Sequence, residues 1–600
     1  MKRFNKAAPI LLLSCVALFS CVDEPVQIEE ENLVYQIPQT NKVLTRSTSL
    51  ETYETLPNPY ALDVMQQVYD IYSESPVTLQ PTDLYVKFMP KDSLELHTLK
   101  YDCDLELFDY PLDIELAEGE EYINYDLPET DLVWLYTTVS PDYVFPQGIS
   151  YEILEECYIP EDGETVGIPA KAGEVNVEDA AFAMVGYSEM ASVVTRAVAT
   201  PSGTIQVYDN DNNAHVPVKG VKIRCHRFVK LATAYTNESG YYTMNKVFRY
   251  TPRYEVVFDN IKDFDIWGNW GPSVAASHYM GFQSSLEIQV ADKSWTYAAV
   301  NNAAYDYYTM CEQKGISKPV SDLKIWVWKN IVPSSAPMLN PIKNVLNINR
   351  NIIENFLIDI PKSLIHLMLK YVTPDITIGA LDNGNTLKTY AQLYQVVNHE
   401  LAHASHFSVV GPSFWLRYIN YIIQNWGYGD GTHSYAELCA VGEMWGYYIG
   451  YAQAMNKGYS PTYNINGVYG WIHPLFFWWL DSRGIISSKK IFNCLSSEVD
   501  TYNELISKMY ILYPDKAVQI AGLLKHFPSL NRNVSLPNYD TVYIGENITS
   551  STNISGDRLA VHDVTVASGV TFTVNAETSI TFVEPFVVDS GAQLLVTIGN

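Results

Sequence analysis

Five consecutive residues, His399-Glu400-Leu401-Ala402-His403, combine the types and spacing that metal-assisted hydrolysis needs. On a helix, residues four apart share one face, with Cβ atoms roughly 5–6 Å apart. Two imidazoles placed that way can both reach one tetrahedral metal. Glu400 follows His399 about 100° further round a helix of ~3.6 residues per turn. That angle keeps its carboxylate off the metal but near a water held there, where it can accept a proton. The competing reading is a core helix with two hydrogen-bonded histidines. It is unfavourable, because a Glu and two His are costly to bury on an apolar helix.

The elements that must position these groups are legible around them. Leu387, Tyr390, Leu393, Val397, Leu401 and Ala404 recur at helical spacing, so a helix is predicted over Asn385–Phe407. Asp382-Asn383-Gly384-Asn385-Thr386 supplies a turn and an N-cap, and Gly411-Pro412 marks the end. A second helix is predicted over Ser434–Met455, and it carries two carboxylates, Glu437 and Glu443, that could complete the ligand set. Between the two come a helix, Phe414–Trp426, and a loop, Gly427–His433. Asp430 and His433 in that loop are outside candidates, since Asp and His also bind zinc. Tyr447, Tyr448, His433 and His473 are candidate donors to a developing oxyanion. His406 is expected to face solvent, with support of a metal ligand as the alternative, and Asp375–Gly379 reads as a short strand before the first helix.

The run Val396-Val397-Asn398-His399-Glu400-Leu401-Ala402-His403 resembles the metal helix of zincin metallopeptidases. The resemblance implies that His399 and His403 bind Zn2+ and that Glu400 is the general base in peptide hydrolysis. Ser405 departs from the pattern, which has an apolar residue there. The metzincin extension needs glycine at position 406 and histidine at 409, but His406 and Val409 stand there. Glu443-Met444-Trp445-Gly446-Tyr447-Tyr448 is similar to the Glu-x-aromatic-small-x-Tyr stretch around the third ligand of one gluzincin group. This favours Glu443 over Glu437 as the third metal ligand. The resemblance also implies an edge strand before the metal helix, so Asp375–Gly379 is expected to bind extended peptide by strand addition.

The N-terminus bears on location. Met1-Lys2-Arg3-Phe4-Asn5-Lys6 is basic, and Ala7–Phe19 is apolar but too short to span a bilayer. It runs into Leu18-Phe19-Ser20-Cys21, which resembles the lipobox of bacterial lipoproteins. That implies a signal peptide over 1–20, acylation of Cys21 and a lipid anchor in the bacterial outer membrane. Asp23-Glu24 resembles the surface-export signal of Bacteroidota lipoproteins, which implies exposure on the cell surface. The formal net charge of −29 disfavours nucleic acid and anionic membrane surfaces as partners. The strongest later apolar run, Ile472–Leu480, is too short to span and contains Pro474, so it reads as a buried helix. Of eight cysteines, Cys15 leaves with the signal and Cys21 takes lipid. Cys103, Cys157, Cys225, Cys311, Cys439 and Cys494 show no metal-binding spacing and are expected as buried free thiols, with a Cys103–Cys157 bridge as the alternative.

Length and pattern predict a multidomain α+β protein. A tether over 21–50 leads into an N-terminal α+β domain over 51–195. Within it a helix is expected over Ala61–Tyr72 and strands over Asp83–Phe88, Leu105–Phe108 and Leu132–Thr137. Residues 200–262 carry three β-runs, Gly203–Asp209, Val216–Ile223 and Ala234–Tyr242, whose order resembles the carboxypeptidase regulatory-like β-sandwich, an Ig/prealbumin-like fold. Residues 263–535 are the expected zincin-like, mainly helical catalytic domain with a small sheet. Leu323–Trp328 is a strand there, and Leu346–Tyr371 is mostly helical with a break at Pro361. Residues 540–600 are expected to form a β-repeat, solenoid-like module, with a plain β-sandwich as the rival, because Ser568-Gly569 recurs 22 residues later as Ser590-Gly591. The expected function is zinc-dependent endopeptidase action on extracellular protein or peptide substrates. The alternative is a catalytically inactive zincin-fold surface protein that binds glycans or polypeptides. The sequence leaves oligomeric state open.

Overall fold

The computed structural model describes residues 53–124, 134–167, 175–187, 198–268, 275–346, 373–425, 427–462, 465–530, 534–536 and 538–599. The segments expected as a signal peptide and a tether, Cys21 and nearly all of the helix expected over Leu346–Tyr371 lie outside the described residues. The chain is a mixed α/β protein with several sheets. It divides into two compact units. One contains the described residues up to Asp306 with Ser321–Tyr394, and the other contains Tyr307–Val320 with Gln395–Asn600.

The first unit opens with helix α1, Leu62–Tyr72, directly after the Pro57-Asn58-Pro59 breaker. Strand β1, Asp83–Met89, is followed by α2, Ser93–Lys100, and then by β2, Leu135–Val139, and β3, Ser150–Cys157. These strands form an antiparallel sheet of order β2-β1-β3. Helix α2 starts where it does because the Asp92 carboxylate accepts from the Leu94 and Glu95 N–H groups. Leu105–Phe108 does not become a strand; Phe108 makes one bridge, to Tyr136. Its neighbourhood is used otherwise, with the Leu107 carbonyl and the Asp109 carboxylate both accepting from the buried Arg224 guanidinium. A short pair, β4 Thr165–Val166 and β5 Val175–Asn176, precedes α3, Val177–Met184.

Strands β6 Ser202–Asp209, β7 Ala214–Pro217, β8 Val221–Arg227, β9 Lys230–Tyr235 and β10 Tyr241–Thr243 follow. The turn before β10 explains its Asn and Gly. Asn237 Oδ1 accepts from the Ser239 and Tyr241 N–H groups at 2.9 and 3.1 Å. Gly240 sits at φ 73°, and a Cβ there would lie 2.4 Å from the Ile205 carbonyl oxygen. Next come β11 Arg253–Asn260, β12 Phe264–Trp267, β13 Ser277–Gly281, β14 Leu286–Ile288, helix α4 Trp295–Lys314, β15 Leu323–Trp328, helix α5 Leu339–Leu346 and β16 Ile376–Gly379. Strands β10-β6-β14 form one sheet with β7 beside β6. A seven-stranded sheet runs β16-β15-β12-β11-β8-β9 with β13 on β11. It holds strands from both sides of residue 262, so sheet structure does not stop at the boundary expected there.

The strand expected at Asp375–Gly379 is present as β16, at the end of that sheet and parallel to β15. Its outer edge is already occupied. Thr377 N–H donates to the Ser335 carbonyl (2.8 Å), Ser335 N–H donates back to the Thr377 carbonyl (2.9 Å), and Gly379 N–H donates to Ser334 Oγ (3.1 Å). These bonds correct the expectation of strand addition at this edge, because the backbone groups that would receive a peptide are taken by the chain's own segment.

The second unit holds most of α6, Tyr390–Gln424, then α7 Ala436–Lys457, α8 Pro474–Ser482, α9 Ser488–Phe492, α10 Tyr502–Leu512 and α11 Ala517–Leu524. Helix α7 is buried on nearly all sides, which follows from its apolar residues lying all round rather than on one stripe. The run Ile472–Leu480 forms α8, with Pro474 at its first turn and Phe476, Phe477 and Leu480 buried. Strands β17 Thr541–Ile548, β18 Thr552–Val566, β19 Thr571–Val588 and β20 Gln593–Ile598 are paired in parallel in sequence order. Ser568 Oγ donates to the Ser590 carbonyl at 2.7 Å, and Asn575 donates to Asn553 at 2.9 Å, each pair 22 residues apart. These strands pack on α11, where a Cβ on Gly522 would lie 2.7 Å from His562 Cδ2.

Among the described residues no helix is long and apolar enough to cross a membrane. The six described cysteines are free thiols; Cys103 is exposed and the other five are buried, so Cys103 and Cys157 form no bridge.

Candidate metal centre

Helix α6 begins five residues later than the periodicity predicts. Asp382 Oδ1 accepts from the Gly384 and Thr386 N–H groups, each at 2.9 Å, and Asn385 takes φ 57°, so this stretch is a turn. The cap is a reciprocal pair instead. Thr389 N–H donates to Gln392 Oε1 at 2.8 Å, and Gln392 N–H donates to Thr389 Oγ1 at 3.3 Å. Gly411-Pro412 does not end the helix. Gly411 adopts φ 76°, ψ 178°, and Pro412, whose φ suits a first helical turn, restarts it as a second segment to Gln424.

His399 and His403 come together as the spacing requires. Their Nε2 atoms stand 2.9 Å apart and the rings are tilted by 69°. Both side chains are buried, as is Glu400. Helix α7 supplies the third group. Glu443 Oε2 lies 3.4 Å from His399 Nε2, and Oε1 lies 3.5 Å from His403 Nε2. One ligand atom from each of His399, His403 and Glu443 falls within 4.8 Å of the others. The helices are pinned at this level by Trp445, whose Nε1 donates to the Ala402 carbonyl at 3.1 Å.

The other candidates are placed elsewhere. Glu437 Oε2 accepts from the Tyr502 N–H at 2.8 Å and so caps the start of α10. Asp430 and His433 are exposed and pair with each other at 3.7 Å. Tyr448 donates to Asp481 at 2.5 Å, and His473 Nε2 contacts Ser529 Oγ. Tyr447 is the one oxyanion candidate beside the cluster, with its buried ring perpendicular to His399 at 4.6 Å. His406 does not face solvent. It is buried against Phe414 and Trp415, 5.3 and 5.9 Å between ring centres, because the second segment of α6 brings those residues over it. The polar Ser405 has a partner that accounts for it, since buried Tyr307 donates to its Oγ at 2.8 Å.

One residue in the cluster escaped the sequence reading, and a second entered it only as the small position of a pattern. Tyr418 donates its hydroxyl to Glu443 Oε1. Gly446 faces the imidazoles, and a Cβ there would lie 2.7 Å from His399 Nε2 and 2.8 Å from His403 Nε2. The small residue three after Glu443 was a usable signal for Gly446. Nothing marked Tyr418, since Gly411-Pro412 reads as a stop.

Electrostatics favour a cation at this point. Burial pushes His399 down to about 4, against the pull of Glu443, so its ring is neutral at pH 7. Burial also pushes His403 down, but the charge and hydrogen bond of Glu443, together with the Glu400 charge, outweigh it and the net shift is up. Glu443 is pushed up by burial and pulled further down by the two imidazoles, ending well below the usual carboxylate range. Burial carries His406 to about 3. With 2.9 Å between the Nε2 atoms, two protons cannot both lie there. Two imidazole nitrogens and one carboxylate suit a borderline divalent ion, and the bare backbone of Gly446 leaves the space. Compared with known proteins, the chain matches no family model and no curated sequence.

Proposed function

We propose that the chain is a zinc-dependent endopeptidase of the zincin, gluzincin-like type that acts on extracellular protein or peptide substrates. The observation that carries this reading is the convergence of His399, His403 and Glu443 from two helices onto one point, with Glu400 on the same helix as the histidines. Those three residues would hold the ion. Bound there, zinc supplies Lewis acidity, which activates water and polarises a carbonyl near neutral pH.

The remaining chemistry belongs to side chains of the chain itself. Glu400 accepts a proton from the attacking water and returns it to the leaving amine. Its carboxylate is buried, out of bulk solvent. Tyr447, whose ring is perpendicular to His399, is the candidate donor to developing negative charge on the substrate oxygen. In this reading Cys21 carries lipid and the protein faces the exterior from a bacterial outer membrane.

The test is cleavage of casein and of a mixed peptide library, with products identified by mass spectrometry. Wild type should cut internal peptide bonds. Glu400→Gln should lose 10²–10⁴-fold in rate while keeping the metal. A second reading has one specific observation behind it. His399 and Glu400 are 0% exposed and His403 3%, so a polypeptide has no direct approach to the general base in this conformation. A catalytically inactive zincin-fold surface protein that binds glycans or polypeptides would bind metal, cut no library peptide, and hold its ligand equally well after chelation.

A further inference from the structure

The segment of α6 after Gly411 delivers a hydroxyl to the candidate metal centre. Tyr418 is 4% exposed, and its hydroxyl donates to Glu443 Oε1. The same oxygen stands 3.5 Å from His403 Nε2, while Oε2 faces His399 Nε2 at 3.4 Å. The Tyr418 ring is held between Trp415, at 4.9 Å, and His403, at 6.0 Å. Helix α7 is shaped to let it in. Gly442 precedes Glu443, and a Cβ on Gly442 would lie 3.3 Å from Tyr418 Cε2.

We propose that Tyr418 is a positioning residue of the metal centre, whose hydroxyl fixes the rotation of the Glu443 carboxylate and draws charge onto Oε1. This rests on the reading of His399, His403 and Glu443 as a metal site. The physical basis is twofold. A hydrogen bond to an ionised carboxylate is roughly twice as strong as one between neutral groups. A ligand carboxylate that is not held must lose its rotational freedom when the ion binds, so its outer partner contributes to affinity, typically by 10–100-fold. Tyr418 reaches Glu443 from the segment of α6 that follows the Gly411-Pro412 kink.

The test is Tyr418→Phe in the full chain, which keeps the ring packed against Trp415 and removes the hydroxyl. Zn2+ affinity is measured by competition with a chromophoric chelator. The visible spectrum of the Co2+-loaded protein reports ligand geometry independently of activity. His403→Ala serves as the site control. The expected result is one tight ion in wild type, loss in His403→Ala, and 10–100-fold weaker binding with a shifted Co2+ band in Tyr418→Phe. Wild-type affinity and spectrum in Tyr418→Phe would overturn the positioning role and leave the metal site standing. Equal binding by wild type and His403→Ala would overturn the metal site and the positioning role together.

Discussion

Gly446 presents bare backbone to His399, so close that a single added carbon would lie 2.7 Å from Nε2. The same carbon would meet His403 Nε2 at 2.8 Å. Real Cβ atoms do not approach ring nitrogens that closely, so the glycine keeps the space between the two imidazoles and Glu443 open. Gly446→Ala should therefore weaken metal binding at least tenfold. It should not weaken the helix, since Ala exceeds Gly in helix propensity by about 1 kcal/mol. Metal titration together with thermal unfolding of the metal-free protein separates the two effects.

Glu443 and Glu437 lie on one helix but serve different partners, and their Gln variants should diverge. Glu443→Gln removes the charge facing both imidazoles and should abolish tight metal binding. Glu437→Gln weakens the cap on α10 and should cost about 0.5–1 kcal/mol of stability with metal affinity unchanged. Parallel metal titration and urea unfolding of both variants checks this. Equal loss of metal in both would contradict the assignment.

Asp375 predicts a pH effect on the stability of the first unit. Its carboxylate accepts from the Lys324 N–H at 2.9 Å, and burial raises its pKa from 3.8 to about 7. A folded pKa above the unfolded one means the folded state holds the extra proton. The associated stability is full below pH 3.8 and is lost as pH rises through about 7. Asp375→Asn keeps the accepting oxygen and removes the ionisation. It should match wild type near pH 4 and exceed it above pH 7, by up to about 4 kcal/mol. Denaturant midpoints of the two proteins at pH 4.5, 6 and 8 test the sign; a variant less stable at pH 8 would refute it.

Gly522 should be the sensitive point where the β-strands meet α11. A Cβ there would lie 2.7 Å from His562 Cδ2 and 3.1 Å from Ile544 Cγ2. Gly522→Val forces these surfaces apart and should make residues 541–599 more susceptible to limited proteolysis, with the candidate metal site unaffected. Mass mapping of early tryptic fragments reads this out.

Local chemistry made much of the site legible. The four-residue spacing placed His399 and His403 on one face, and the aromatic-small pattern after Glu443 picked the carboxylate that meets them. What failed depended on contacts distant in sequence. Gly411-Pro412 carries the same stop signal whether a helix ends or restarts, and burial of Phe414, Trp415 and Tyr418 decided for a restart. His406 looked solvent-facing until those rings covered it. Leu105–Phe108 has strand composition, but Arg224, more than a hundred residues away, takes the Leu107 carbonyl. The sheet that crosses residue 262 was hidden for the same reason, because β12, β15 and β16 pair in parallel across long connections. The Ser568 and Ser590 repeat was visible because its partners recur at a fixed step.

The most direct test of the central claim is a crystal structure of the zinc-soaked protein with anomalous scattering recorded on both sides of the zinc edge. The account predicts one strong peak about 2.0–2.2 Å from His399 Nε2, His403 Nε2 and a Glu443 oxygen. A peak held instead by Glu437, Asp430 or His433, or none at the two imidazoles, would contradict it.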